Sequence, residues 1–144
     1  MLRAVRVENR VRAGTPAIYA DSQQVSQVLM NVLLNAAQAT PGGGSITVEA
    51  ETTPAADMLE IRVRDTGRGI PADILPHVFE PFFTTKRGQG TGLGLSISQT
   101  YVRSHGGEIR VESKEGEGTT VRITLPVRGQ DMPEGQERES GVIA

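Results

Sequence analysis

DSQQVSQVLMNVLLNAAQAT, residues 21 to 40, carries two periodic patterns at once. On a wheel of about 100° per residue, Val25, Leu29, Val32, Leu33 and Ala36 share one arc. Gln24, Gln27, Asn31, Asn35 and Gln38 fall within about 80° of one another on the adjoining arc. The apolar arc predicts an amphipathic helix over Ser22 to Thr40, with Asp21 as N-cap and Gln24 in the reciprocal position three residues later. PGGG at 41 to 44 ends it. The polar arc has two readings, a solvent face or a set of amides turned toward a ligand, because asparagine is a mediocre helix former whose amide competes with the backbone. Two amides one turn apart can present oxygens to a hard cation such as Mg²⁺, whose remaining ligands would be waters and nucleotide phosphates. Asn35, nearer the apolar arc, is the better placed of the two, and neither amide can serve as a general base.

Working outward, Ile46 to Glu51 and Leu59 to Arg64 alternate as half-buried strands joined through a turn around Pro54. Leu93 to Ser104 reads as a second long helix closed by Gly106-Gly107, and Glu108 to Ser113 with Thr119 to Pro126 form a hairpin across KEGEG. Residues 3 to 7 and 17 to 20 read as short strands around a turn at Gly14 to Pro16. Helix, two strands, loops, helix, two strands predicts an α+β two-layer sandwich, with helices packed on one face of a mixed, mostly antiparallel sheet. No internal repeat is present.

The chain has 144 residues, enough for one domain with a modest core at 37% hydrophobic residues. Fifteen basic against seventeen acidic residues give a formal charge of -2, which gives no footprint for nucleic acid or an acidic membrane surface. Cysteine is absent, excluding disulfides and thiolate chemistry, and two distant histidines do not suit a structural zinc site. No apolar run approaches the roughly 20 residues of a membrane span, and MLRAVRVENR lacks the apolar centre of a signal peptide. A cytoplasmic location with no direct membrane contact by this segment is expected. The segment 129 to 144, GQDMPEGQERESGVIA, has four acidic residues and one basic residue and is read as a disordered acidic tail after a domain over 1 to 128.

In IRVRDTGRGI, residues 61 to 70, Ile61 and Val63 alternate inward and Asp65 continues their parity. A carboxylate there needs hydrogen bonds, so it is either a turn cap or a recognition group. As a recognition group it would accept from an exocyclic amine and so distinguish adenine from guanine. Gly67 and Gly69 let the backbone approach a flat ligand or take φ > 0. FEPFFTTKRGQGTGLGLS, residues 79 to 96, gathers all three phenylalanines before a glycine-rich run. Phe79, Phe82 and Phe83 read as a hydrophobic cluster anchoring a loop, which could be the fixed end of a lid. Thr84, Thr85, Lys86 and Arg87 could then meet phosphates while Gly88, Gly90, Gly92 and Gly94 supply mobility and exposed donors. No Lys-Ser or Lys-Thr follows the glycines and no strand immediately precedes them, so neither a P-loop nor a dinucleotide fingerprint fits. A helix beginning near Leu93 does fit, because its unpaired N–H groups form an anion site. Thr119 is a good strand former, or a hydroxyl that joins Asp65 at a base through a water.

Together these stretches resemble the N box, first glycine box, F box and second glycine box of the ATP-binding catalytic domain of sensor histidine kinases. The likeness extends through HGGEIRVESKEGEGTTVRITLP and covers roughly residues 17 to 126. NAAQA and FEPFFTTK are closest to the nitrogen-regulation type. The resemblance implies a Bergerat-type ATP fold and ATP with Mg²⁺ as ligands. Asn35 then matches the metal-binding asparagine, Asn31 its companion, and Asp65 the adenine-reading aspartate. Gly67, Gly69 and Ile70 lie beneath the base, and Thr119 assists there. Thr85, Lys86, Arg87 and Gly88 lead into the lid and phosphate loop of Gly90, Thr91, Gly92, Leu93, Gly94 and Leu95. Asn31, Asn35 and Lys86 are implied nearest the reacting phosphate.

Gyrase-like and chaperone-like members of the same superfamily place a water-activating glutamate where this chain has Asn31, so phosphoryl transfer is expected over hydrolysis. Gln38 stands where many histidine kinases carry lysine, which shifts that task to Lys86 or Arg87 or leaves the phosphate contact weaker. The resemblance further implies a homodimeric parent, a response-regulator receiver domain as partner, and a histidine-bearing dimerisation hairpin that is absent from this sequence. His77 and His105 match no acceptor motif; His105 suits the negative dipole end of its helix. An ATP-binding sensing or scaffold module without phosphotransfer, or a serine kinase of the anti-sigma type, would share the same glycines.

Overall fold

The computed structural model describes residues 6–11, 20–53, 57–83 and 94–127. Strands β1 (Arg6–Asn9), β2 (Ser45–Thr52), β3 (Met58–Asp65), β4 (Glu108–Lys114) and β5 (Gly118–Pro126) form one sheet in the order β1-β2-β3-β5-β4. β1 runs parallel to β2 and every other pairing is antiparallel. Helices α1 (Ser22–Ala39) and α2 (Gly94–Ser104) pack against each other and against this sheet. This is the mixed, mostly antiparallel two-layer sandwich expected from the sequence, and it is consistent with a Bergerat-type fold.

Alternation along the strands explains why only one face is covered. Ile46, Leu59, Ile61, Val63, Ile109, Ile123 and Leu125 are buried toward the helices, where they meet Val25, Val28, Val32 and Ala36 of α1 and Val102 of α2. Burying each of these valine, isoleucine and leucine side chains contributes about 1.5–3 kcal/mol of hydrophobic free energy. The core stripe of α1 is turned slightly from the expected arc. Val28 is fully buried and Leu33 only half-buried, which places the stripe directly beside Asn35. On the open face of the sheet, register sets Arg62 opposite Arg122 and Arg122 opposite Arg110. Interleaved glutamates relieve that like-charge row: Arg62 lies 2.6 Å from Glu51 and 2.6 Å from Glu60, and Arg122 pairs with Glu60 at 3.1 Å and with Glu112.

Element ends differ from expectation in two places. The described part of the first strand, Arg6–Asn9, runs two residues past the expected end at Val7 and is held there by parallel pairing: the Arg6 N–H donates to Gly44 O at 3.1 Å and the Arg10 N–H to Val48 O at 2.8 Å. The Asp21 carboxylate caps α1 through the Gln23 and Gln24 N–H groups, but the reciprocal half of the box is not made by Gln24. The Asp21 N–H donates instead to His105 Nε2 at 2.9 Å, while His105 Nδ1 lies 2.8 Å from Tyr101 O. His105 therefore joins the end of α2 to the start of α1. Beyond it, α2 closes in paired turns, the Gly106 N–H on Arg103 O and the Gly107 N–H on Val102 O. Residues 1–5, the expected strand from 17 to 19, the turns at 14–16 and 54–56, and the tail from 128 onward lie outside the described residues.

Candidate nucleotide site

Asp65 ends β3 on the helix-facing side and is 5% exposed. Its Oδ1 accepts from the Gly67 N–H at 2.8 Å, and the Thr119 backbone N–H also stabilises the carboxylate. Burial raises its pKa above the ordinary aspartate value, opposed by those two backbone donors and by the nearby Arg68 charge. The turn-cap reading is thus correct, and it does not exhaust the carboxylate. Two ionised oxygens offer about four lone pairs, enough for further donors beyond the backbone pair.

Register extends this position into a row. Ile46 faces Asp65, Asp65 faces Thr119, and Thr119 faces Ser113, across β2, β3, β5 and β4. Ser113 Oγ lies 2.7 Å from Thr119 Oγ1, donates toward Gly118 O at 3.0 Å and accepts from the Ile70 N–H at 2.8 Å. The loop of Gly67 to Ile70 is consequently strapped to the β4–β5 turn, where the Gly116 N–H also donates to Arg68 O at 2.7 Å. Two of its glycines have a steric cause. Gly69 has φ +70 and a Cβ there would lie 2.1 Å from Lys114 O; Gly118 has φ +116 and a Cβ would lie 2.2 Å from Asp65 O. These glycines let backbone meet backbone at the site wall: Gly69 takes the positive φ expected of it, and its close approach is to the backbone of Lys114.

The same loop reaches α1. The Arg68 N–H donates to Ala39 O at 3.1 Å, and the Arg68 guanidinium approaches Gln38 O at 3.5 Å. Two helical turns earlier, Asn31 Nδ2 donates to Gly94 O and to Ser98 Oγ, both at 3.2 Å, and Asn31 Oδ1 accepts from Gln27 Nε2 at 2.9 Å. Ser98 is fully buried and donates to Gly94 O at 2.8 Å. Asn31 therefore fastens α1 to the first turn of α2. Asn35 is half-buried one turn from Asn31 and one turn from Ala39, so it lies on α1 between the two junctions. The structure thus joins Asp65, Gly67, Gly69, Ile70 and Thr119 in one group near the C-terminal end of α1, and Asn31 and Gly94 in another at its middle. Leu95 is half-buried against the core. Thr85, Lys86, Arg87, Gly88, Gly90, Thr91, Gly92 and Leu93 lie outside the described residues.

The phenylalanine trio divides. Phe79 packs on the core and Phe83 meets the His77 ring at 5.7 Å between centroids, but Phe82 is 74% exposed with φ +65. A bulky residue in the left-handed region is strained, and that geometry turns its ring away from the other two. His77 also pairs with Glu80, a local contact that accounts for its position.

Sequence reasoning missed two residues. Arg68, between the two glycines, brings its guanidinium to 3.5 Å from the Gln38 carbonyl, and Ser113 is the hydroxyl that ties the loop to Thr119. Ser113 was legible only as an inward position of β4 opposite Thr119. No cluster of three metal-ligating acidic, histidine or cysteine side chains exists among the described residues.

A family profile for histidine kinase-, DNA gyrase B-, and HSP90-like ATPases matches residues 20–129. The chain is 47% identical over 125 residues to the sensor histidine kinase ZraS of Escherichia coli K12, a match covering 87% of this chain and 26% of ZraS. It spans 13% of the sensor kinase CckA of Brucella abortus, at 45% identity over 123 residues and 76% of this chain. Among solved structures, full-length ShkA in complex with AMPPNP superposes with a TM-score of 0.75 at 29% identity, covering 85% of this chain and 25% of ShkA. Among the described residues no helix is long and apolar enough to cross a membrane. On this sequence match, and on a sheet, glycine loop and buried aspartate arranged as described, the chain belongs to the histidine kinase-, DNA gyrase B- and HSP90-like ATPase family.

Proposed function

We propose that this chain is the catalytic ATP-binding domain of a two-component sensor histidine kinase, which binds Mg·ATP and presents its γ-phosphoryl group to a histidine on a separate dimerisation hairpin. The observation that carries the reading is Asp65: a carboxylate buried at the end of an inward-facing strand, held by two backbone donors, with lone pairs left for the amine of an adenine. Thr119 stands beside it in the register and the Gly67–Ile70 loop forms the adjoining wall. Asn35 would supply one amide oxygen to Mg²⁺, which neutralises phosphate charge during transfer. Lys86, Arg87 and the second glycine box would contact the phosphates, with Arg68 adding a cation beside Gln38.

The protein's share of the chemistry is positioning and electrostatics. Asn31 supports transfer over hydrolysis in two ways. It has no basic group to activate water, and its amide is engaged with Gly94, Ser98 and Gln27. A response-regulator receiver domain would then take the phosphoryl group from the histidine, and the parent kinase would be a homodimer. The spellings NAAQA and FEPFFTTK favour the nitrogen-regulation type of kinase.

Incubation with radiolabelled ATP, Mg²⁺ and a histidine-bearing hairpin from a related kinase tests the proposal. Acid-labile, base-stable label on the hairpin is expected, and little turnover without it. Acid-stable label would instead identify a serine kinase, and nucleotide binding with no transfer to any hairpin a sensing module. Replacing Asn35 by Ala should weaken Mg·ATP by roughly tenfold while leaving metal-free ATP nearly unaffected.

A further inference from the structure

Ser113 has more hydrogen-bond neighbours than protons to give them. Its hydroxyl has one proton and two lone pairs. The Ile70 N–H occupies one lone pair at 2.8 Å, leaving Gly118 O at 3.0 Å and Thr119 Oγ1 at 2.7 Å to compete for the proton. If the proton goes to Gly118 O, Thr119 must spend its own proton on Ser113 and offers only lone pairs to the cleft. If it goes to Thr119 Oγ1, the shorter of the two contacts, the Thr119 proton is free to point into the cleft.

Adenine decides between these arrangements. Beside its exocyclic amine, which Asp65 would accept, the base carries the ring nitrogen N1 as an acceptor. A bridging water that donates to N1 and to the Asp65 carboxylate has no proton left for Thr119, so it can only accept from it. The network closes when Thr119 donates, and that requires Ser113 to donate to Thr119. Guanine reverses the pattern, with a carbonyl and an N1–H along the same edge.

We propose that Ser113 is a positioning residue of the adenine site, fixing the Thr119 hydroxyl as a donor to the water that bridges N1 and Asp65 while holding the Gly67–Ile70 loop in place through the Ile70 N–H. This inference rests on the adenine-nucleotide reading above and adds a residue to it. Ser113 touches no part of the base and acts through Thr119.

The test compares ADP with 1-deaza-ADP, which replaces N1 by a carbon and retains the amine. Calorimetric titration of the wild-type chain should show ADP binding about five- to tenfold more tightly, the worth of one ordinary hydrogen bond. In Ser113→Ala that preference should fall to about twofold or less, since nothing orders the Thr119 proton, and Ser113→Cys, which preserves volume, should behave in the same way. Thr120→Ala, one position along on the open face of the sheet, should keep the wild-type ratio. A purely structural serine would lower affinity for both nucleotides together and leave the ratio unchanged. That outcome, or a wild-type ratio of one, overturns the proposal. Absence of ADP binding by folded wild-type protein would reject the nucleotide reading itself, a result separable from the other two.

Discussion

The two junctions made by α1 are built from different materials. At its C-terminal end the helix meets the Gly67–Ile70 loop and the β4–β5 turn through backbone groups: Arg68 N–H on Ala39 O, and Gly116 N–H on Arg68 O. In its middle it meets α2 through side chains, with the Asn31 amide reaching Gly94 O and Ser98 Oγ. Backbone contacts of the first kind tolerate almost no added atoms. Side-chain contacts of the second kind can be removed at the cost of the bonds they make. The base end of the cleft is therefore expected to be fixed by shape, and the phosphate end by polar chemistry.

The largest effects should come from adding a methyl group at the base end. Gly69→Ala and Gly118→Ala each force a Cβ against a carbonyl oxygen in a backbone conformation disfavoured for other residues. Each should cost about 3 kcal/mol or more in chemical denaturation and abolish ADP binding. Gly116→Ala has a positive φ but open space around it, so about 1 kcal/mol is expected, the conformational cost alone. Equal losses at Gly116 and Gly69 would show that backbone contact is not what fixes this end.

Removing the carboxylate comes next. Asp65→Ala should lower ADP affinity on the order of 100-fold, the worth of one charge-assisted hydrogen bond with part of its surroundings. Asp65 also predicts opposed pH trends. Its folded-state pKa is raised by burial, so between the unfolded and folded values the native protein holds a proton that the unfolded chain has lost. Stability of the wild-type chain relative to Asp65→Asn should thus be greatest below the unfolded value and decline as pH rises through the folded one. ADP binding, which needs the ionised form, should strengthen over the same window. Denaturation and titration series on both chains check the two signs.

Smaller changes are expected at the side-chain junction. Asn31→Ala should cost about 1–2 kcal/mol, because Ser98 still satisfies Gly94 O, and it should leave the preference for ADP over GDP unaltered. A loss of base selectivity there would join the two ends that the structure separates. Asp21→Ala should cost about 1 kcal/mol by removing the helix cap, with no effect on nucleotide binding beyond that.

Most of the architecture was legible in the sequence for physical reasons that can be named. Strict alternation from Leu59 to Asp65 fixed both the strand and the inward direction of the carboxylate, and the 3.6-residue period with Asp21 and PGGG fixed α1. The end of the first strand fell short of Asn9 because parallel edge pairing leaves little local signal, and the cap partner of Asp21 was not legible because His105 lies 84 positions away in sequence. The positive φ offered for the first glycine box holds at Gly69, but the backbone contacts of Gly67 with Ala39 O and of Gly69 with Lys114 O were not legible, since they depend on the end of α1 and on a turn that folds back from β4 and β5. Ser113 escaped notice for the same reason: on β4 it is one polar residue among several, and only the register with Thr119 gives it a role.

The central claim is that the buried end of β3 reads adenine, and the most direct measurement is calorimetric titration of the folded chain and of Asp65→Ala with ADP and GDP. ADP should bind the wild-type chain, GDP should bind it about 100-fold more weakly, and Asp65→Ala should lose that preference. Equal affinity of the wild-type chain for both nucleotides, or an unchanged preference after removal of the carboxylate, would contradict it.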